Sequence, residues 1–330
     1  MSSIKEIKRI AVFTSGGDSP GMNAAVRAVV RTALHYGITV YGIKQGYDGM
    51  IRGLYDRLES SDVANIIQRG GTILKTARSM EFMTVEGRQR AYDHLVDHEI
   101  DAVVAIGGNG TFTGAKVFMA EHDIPFIGLP GTIDNDLYGT DFTIGFDTAL
   151  NTAMEAVDKI RDTAEAHDRL FFVEVMGRHA GFLALHSAIS SGAGGVLVPE
   201  HERSSDDLIV HLKAAAKRKK KLFRIIIVAE GNKEGGAAVI AEKVKKQMPT
   251  MDVKVTVIGH LQRGGSPSSR DRILASRLGF AAVEALRNGI SGCMVGTIQG
   301  SVTYTSFDEA INNIKTVDQD MIKMAEILSA

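Results

Sequence analysis

Eight short apolar runs recur along this chain: RIAVFT, TVYGI, AVVAIGG, PFIGLPG, LFFVEVMG, VLVP, FRIIIVAEG and VKVTVIGH. They are rich in Val and Ile and do not alternate apolar with polar residues, the pattern of strands buried on both faces of a parallel sheet. The segments between them, residues 23–36, 148–166 and 268–287 among them, carry helical periodicity. Strand and helix in alternation predict an α/β fold, doubly wound with largely parallel sheets. Ligands of such sheets gather at the carboxyl ends of the strands. Nearly every run here ends in glycine with a polar or charged residue beside it.

At 330 residues the chain exceeds one typical hydrophobic core, which predicts two Rossmann-like three-layer lobes with an active-site cleft between them. Its 35 glycines against 6 prolines suit many tight strand-to-helix turns. The 38 basic and 39 acidic side chains nearly cancel, which removes the electrostatic argument for nucleic acid or a membrane surface as partner. No apolar stretch approaches the roughly 20 residues that span a bilayer, and the start MSSIKEIKRIAVF lacks the apolar core of a signal peptide. The single cysteine, Cys293, excludes an intramolecular disulfide and a multi-cysteine zinc site. These features predict a cytoplasmic protein acting on small ligands. The run KRKKK, Lys217 to Lys221, reads as a solvated helix end, where cations suit the dipole.

Three strand ends carry the chemistry. The first, TSGGDSPGMNAAVR, sets Gly16 and Gly17 after a strand and opens a helix near Pro20. It has neither P-loop nor dinucleotide glycine spacing, so a phosphate cradle and a tight turn capped by Asp18 stand side by side. The second, AIGGNGTFTGA, offers backbone N–H groups at a helix start, a phosphate-binding device. It carries Asn109 where a carboxylate for an accompanying Mg²⁺ is usual. The third, GLPGTIDND, gathers Thr132, Asp134 and Asp136. One carboxylate there can accept a proton from an attacking hydroxyl, the other organise a metal, and the hydroxyl donate to transferring oxygens. A surface Asx turn is the plainer reading, although it leaves unexplained why the cluster directly follows an apolar strand. Arg178, Glu230, His260 and Arg263 lie at later strand ends, and guanidinium groups grip phosphate bidentately.

In order and at family spacing, TSGGDSPGMNAAVR, RGGTILKTAR, PGTIDND, IGFDTA, VEVMGRHAG and GHLQRGGSP resemble the bacterial ATP-dependent 6-phosphofructokinases. The resemblance spans essentially the whole chain. It implies a cytoplasmic glycolytic homotetramer that phosphorylates fructose 6-phosphate at its 1-hydroxyl with MgATP. It implies an ATP-binding lobe of residues 1–145 plus about 262–312 and a sugar-phosphate lobe of residues 146–261 plus about 313–330.

By position, the resemblance makes Asp134 the base and sets Thr132 and Arg178 on the transferring phosphoryl group. Asp136 supports the metal indirectly, and Asn109 touches it weakly or through water. Gly17, Arg78, Ser79, Gly108, Asn109, Gly110 and Thr111 surround ATP. Thr132, Ile133, Asp134, Met176, Gly177, Arg178 and Glu230 meet the sugar, and His260 and Arg263 its 6-phosphate. Arg169 and Lys254 reach that phosphate from a neighbouring subunit, so active sites are shared. Arg27, Arg31, Arg161, Lys219 and Lys221 line an effector site for ADP or phosphoenolpyruvate.

Pyrophosphate-using relatives carry Asp and Lys where this chain has Gly110 and Gly131; small residues leave room for a nucleotide, which favours ATP as donor. Four departures stand out: Asn109 for Asp, Lys254 for Arg, and, at the effector site, Ser60 for Arg and Gly194 for Glu. The rivals are a pyrophosphate-dependent enzyme and a catalytically impaired regulatory paralogue. Retention of Asp134, Thr132 and Arg178 argues against the latter, since a binder needs no proton acceptor.

Overall fold

All eight apolar runs become strands, in two sheets. A computed structural model describes residues 6–201, 204–217 and 224–329. In chain order its strands are β1 (Arg9–Thr14), β2 (Thr39–Ile43), β3 (Tyr55–Leu58), β4 (Ala102–Gly107), β5 (Phe126–Pro130), β6 (Leu170–Val175), β7 (Val196–Leu197), β8 (Ile225–Ala229), β9 (Val253–Val257), β10 (Cys293–Ile298) and β11 (Ser301–Ser306). The first sheet runs β11-β10-β5-β4-β1-β2-β3 and the second β7-β8-β6-β9. All pairs of the second are parallel. The first is parallel from β10 through β2 and antiparallel at both edges, β3 and β11.

The chain divides into two compact units, each holding one sheet. The first takes residues up to Thr132 with Leu137–Thr148 and Arg263–Ile314; the second takes Ile133–Asp136, Ala149–Gln262 and the chain from Lys315 onward.

In the first unit, the lack of alternation has a direct cause: successive residues of one strand enter opposite cores. Ile10 and Val12 join a cluster with Val26, Val29 and Leu278, whereas Ala11 and Phe13 join one with Phe112, Phe118 and Phe126. Helices Met22–His35 and Ser269–Arg287 cover the former face, and they approach so closely that a Cβ on Gly279 would stand 2.7 Å from that of Ala28. In the second unit Phe172, Ile226 and Val228 meet Leu208, Ile240 and Val244 of flanking helices.

Two expectations need correction. The strand β9 is buried on neither face along most of its length: Lys254, Val255 and Val257 are exposed, because it forms an edge. The first helix begins at Met22, after Gly21 in the left-handed region, and has no side-chain cap, so Asp18 does not cap it. Among the described residues, no helix is long and apolar enough to cross a membrane.

Candidate active site

Within the first unit, the carboxyl ends of β1, β4 and β5 bring three sequence motifs together. Ser15 N donates to Ile106 O at 2.9 Å, and Gly131 N donates to Gly107 O at 2.9 Å. The turn after β4 is closed around Gly107, where a Cβ would collide with the Thr111 hydroxyl. Thr111 is itself held through its carbonyl, which accepts from Tyr47 Oη at 2.6 Å. A Cβ at Gly108 would lie 3.9 Å from Thr132 Cβ, and one at Gly16 3.9 Å from Thr111 Oγ1. The expected ATP residues of the two glycine turns thus adjoin one another and Thr132.

Helix Asn109–Glu121 starts in this turn with Gly108 as its N-cap and no side-chain cap. Its leading amides, at Asn109 and Gly110, have no intrahelical acceptors, which leaves partial positive charge facing the strand ends. Asn109 Oδ1 is buried and has no hydrogen-bond partner. An unpaired amide oxygen is a fitting ligand for a hard cation. Among the described residues, no group of three or more His, Cys, Asp or Glu side chains is placed to hold a metal. A metal that arrives on nucleotide phosphates does not need such a cage, because Mg²⁺ keeps several waters and few protein ligands.

Other expected residues of this unit behave differently. Arg78 is exposed, and Ser79 Oγ accepts from Phe82 N at 3.3 Å. Arg263, expected at the sugar phosphate, lies against the first glycine turn: its guanidinium donates to Asp18 O at 3.1 Å and fills the space a Cβ on Gly17 would need.

In the second unit the acidic cluster is no surface turn. Asp134 and Asn135 are buried, with Asn135 at φ 54°, and Ile133 is fully enclosed. Arg178 Nε stands 3.5 Å from Asp134 Oδ2. Burial raises the carboxyl of Asp136 above its ordinary range, partly offset by a backbone N–H and by the charges of Arg178 and Lys315.

The turn after β6 that carries Arg178 is clamped from two sides. Glu230 Oε1, at the end of β8, accepts from Gly177 N at 3.2 Å and Arg178 N at 2.7 Å. Gln262 Oε1 accepts from Met176 N at 2.9 Å. Gly177 at φ 140° and Arg178 at φ 51° show why this turn needs such support. His260 is exposed in the 3₁₀ turn Gly259–Arg263. Arg169 and Lys254 share one carboxylate, Asp252, at 2.8 and 2.7 Å.

Of the expected effector residues, Arg27 and Arg31 lie one turn apart on helix Met22–His35 in the first unit. Arg161 belongs to the second, where it donates to Ser191 O. Lys219 and Lys221 lie outside the described residues. Ser60 is exposed, whereas Gly194 is buried with its N–H donated to Ile225 O at 2.9 Å.

Sequence reasoning passed over two organising residues. Gln262 sat unremarked between His260 and Arg263. Asn23, inside the first motif, donates to Arg69 O and Gly70 O and accepts from Ile73 N, so it holds the loop leading to Arg78. A polar residue inside an otherwise apolar helix was the available signal for Asn23; Gln262, in a polar 3₁₀ turn, offered none.

Glycine turns at the head of an uncapped helix in the first unit, and a buried carboxylate beside a guanidinium on a clamped turn in the second, are each features of α/β proteins that handle phosphoryl groups. The sequence model of the family Phosphofructokinase matches residues 9–286. The chain is 54% identical over 323 residues to the ATP-dependent 6-phosphofructokinase of Cytophaga hutchinsonii, covering 98% of each chain. It is 55% identical to the ATP-dependent 6-phosphofructokinase 2 of Bacteroides thetaiotaomicron, covering 98% of this chain and 99% of that one. The structure of phosphofructokinase from Saccharomyces cerevisiae superposes with TM-score 0.86 at 38% identity, over 92% of this chain and 45% of that one. The chain belongs to the phosphofructokinase family, as its motifs lead one to expect.

Proposed function

We propose that this protein is an ATP-dependent 6-phosphofructokinase, transferring the terminal phosphoryl group of ATP to the 1-hydroxyl of fructose 6-phosphate in glycolysis. The observation that carries the reading is the buried Asp134 carboxylate with the Arg178 guanidinium 3.5 Å away, in a chain of this family. Asp134 accepts the hydroxyl proton as the oxygen attacks phosphorus. Arg178 and Thr132 hold the transferring oxygens, and Glu230 fixes the backbone that presents Arg178. Positioning and fixed charge supply most of the rate enhancement.

The leading amides of helix Asn109–Glu121, with Gly17, Arg78, Ser79, Gly108 and Thr111, hold the nucleotide. Asn109 Oδ1 would be the oxygen ligand offered to Mg²⁺, which when bound with ATP would supply charge neutralisation at the phosphate oxygens. Met176, Gly177 and Glu230 meet the sugar; His260 and Arg263 take its 6-phosphate. Arg169 and Lys254 complete that phosphate site in a neighbouring copy of a homotetramer. Arg27, Arg31 and Arg161 contribute to an ADP or phosphoenolpyruvate site that has lost a cation at Ser60 and a carboxylate at Gly194. A ligand shifts an equilibrium only through differential contacts, so nucleotide activation is weakened.

The test is fructose 1,6-bisphosphate formation by the pure protein with ATP or pyrophosphate across a Mg²⁺ titration. Product with ATP alone is expected. Product with pyrophosphate instead would reverse the donor assignment, and no product with either would leave a binding protein.

A further inference from the structure

The sequence contains two Asn-Gly pairs, Asn109–Gly110 and Asn288–Gly289. Glycine after asparagine leaves the following backbone nitrogen unshielded and mobile, so it can reach the side-chain carbonyl carbon. Whether it does depends on how firmly each pair is held, and the two pairs are held differently. Asn288 is exposed, yet its Nδ2 donates to Glu284 O at 2.9 Å and Gly289 N donates to Leu286 O at 3.0 Å. Amide and attacking nitrogen are both engaged.

Among the described residues neither restraint is present at Asn109: no hydrogen bond engages its side-chain amide, whose buried Oδ1 is unpartnered, and Gly110 N lies in the first helical turn, where no intrahelical acceptor is available. Gly110 is exposed, and a Cβ there would meet nothing within 4 Å. The field at the helix N-terminus also favours the negative charge that develops as the amide nitrogen loses its proton and attacks.

We infer that Asn109–Gly110 is a site of spontaneous deamidation in the folded protein. Gly110 N bonds to Asn109 Cγ; the Cγ–Nδ2 bond breaks, and ammonia leaves with the proton from Gly110 N. Water then opens the cyclic imide. Attack at Cγ gives aspartate; attack at the main-chain carbonyl gives isoaspartate. No oxidant or reductant takes part. Aspartate sets a carboxylate at the helix head, whereas isoaspartate adds a backbone carbon to the turn and displaces its amides. The consequence for nucleotide and metal use rests on the function proposed above; the chemistry itself does not.

The full-length protein is aged in mildly alkaline buffer without nucleotide, digested and mapped by mass. The peptide holding residue 109 should exchange amide for acid about tenfold faster than the one holding residue 288, the effect of about one net hydrogen bond on a pre-equilibrium. In urea, where both lose their surroundings, the two rates should converge. Conversion at 288 as fast as at 109 in the folded protein, or none at 109, overturns the inference. Adding MgATP to the folded protein should slow conversion at 109; an unchanged rate there, with the preference for 109 intact, upholds the deamidation and counts against the nucleotide's placement.

Discussion

Arg178 approaches Asp134 as a mostly solvent-facing guanidinium beside a buried carboxylate, 3.5 Å between Nε and Oδ2, with side chains 55% and 3% exposed. The asymmetry separates their duties. The carboxylate is enclosed at its turn, while the exposed guanidinium is open to a ligand, so the two can divide proton acceptance and charge stabilisation. Asp134→Asn should lower kcat by about 10²- to 10⁴-fold, the range for loss of a general base. Arg178→Lys should lower it by about 10²-fold or more through loss of transition-state charge stabilisation. KM for fructose 6-phosphate should move far less in Asp134→Asn. Steady-state kinetics check both, and a kcat unchanged in Asp134→Asn would remove it from the proton path.

Asp136 tests whether function costs stability. Burial disfavours its ionised form, as the raised pKa indicates. A carboxyl raised in the folded state stabilises the fold fully only below its unfolded pKa, and that contribution is lost as pH rises through the folded value. Asp136→Asn should therefore raise stability by about 1 kcal/mol at pH 7 while lowering kcat. The stability gain should shrink toward zero in mild acid. Urea unfolding at the two pH values measures it.

Asn109→Asp should lower the Mg²⁺ concentration needed for half-maximal rate. A charged ligand in place of an amide is worth about 1.5 to 3 kcal/mol, roughly ten- to a hundredfold in affinity. The buried, unpaired Oδ1 shows that an oxygen at this position is already turned away from solvent. Rate measured against free Mg²⁺ decides it; no change would mean that residue 109 serves only the turn's backbone.

Most inner strands were legible because burial on both faces selects apolar residues at successive positions, as in Phe172 and Val173 of β6. The antiparallel edges of the first sheet were not: β3, Tyr55–Leu58, and β11, Ser301–Ser306, interleave polar residues, so YDRL and SVTYTS look like loops. At the site, the motifs gave residue types and chain positions. They could not give the partnering of Glu230 with two backbone amides, because a carboxylate at a strand end looks the same whether it meets a ligand or its own main chain. Arg263 shows the same limit, as its side chain crosses to the Gly17 turn from far along the sequence.

Lys254 shares Asp252 with Arg169 and stands on the exposed edge strand β9. The resemblance implies a two-pronged guanidinium at this position, where this chain has a point-charge ammonium. Lys254→Arg should lower KM for fructose 6-phosphate several-fold and leave kcat and sugar preference unchanged, because bidentate phosphate contacts act on ground and transition states alike. A KM unmoved by the substitution would take residue 254 out of the phosphate site.

Glu234 gives a pH signature independent of catalysis. Hydrogen bonds from Lys243 Nζ and Ser205 Oγ, both at 2.5 Å, hold its carboxyl down at about 2 from an ordinary 4.5. Because the unfolded chain binds this proton more readily, the stabilisation is complete above pH 4.5 and drains away as pH falls toward 2. The side chain is 29% exposed, so solvent screening cuts the full linkage value to about 1 to 2 kcal/mol. Glu234→Gln should cost that much at pH 7, and the gap between parent and variant should narrow steadily in denaturant titrations taken from pH 5 to pH 3. A gap that stays constant with pH would mean the carboxylate's charge adds nothing beyond its hydrogen bonds to Ser205.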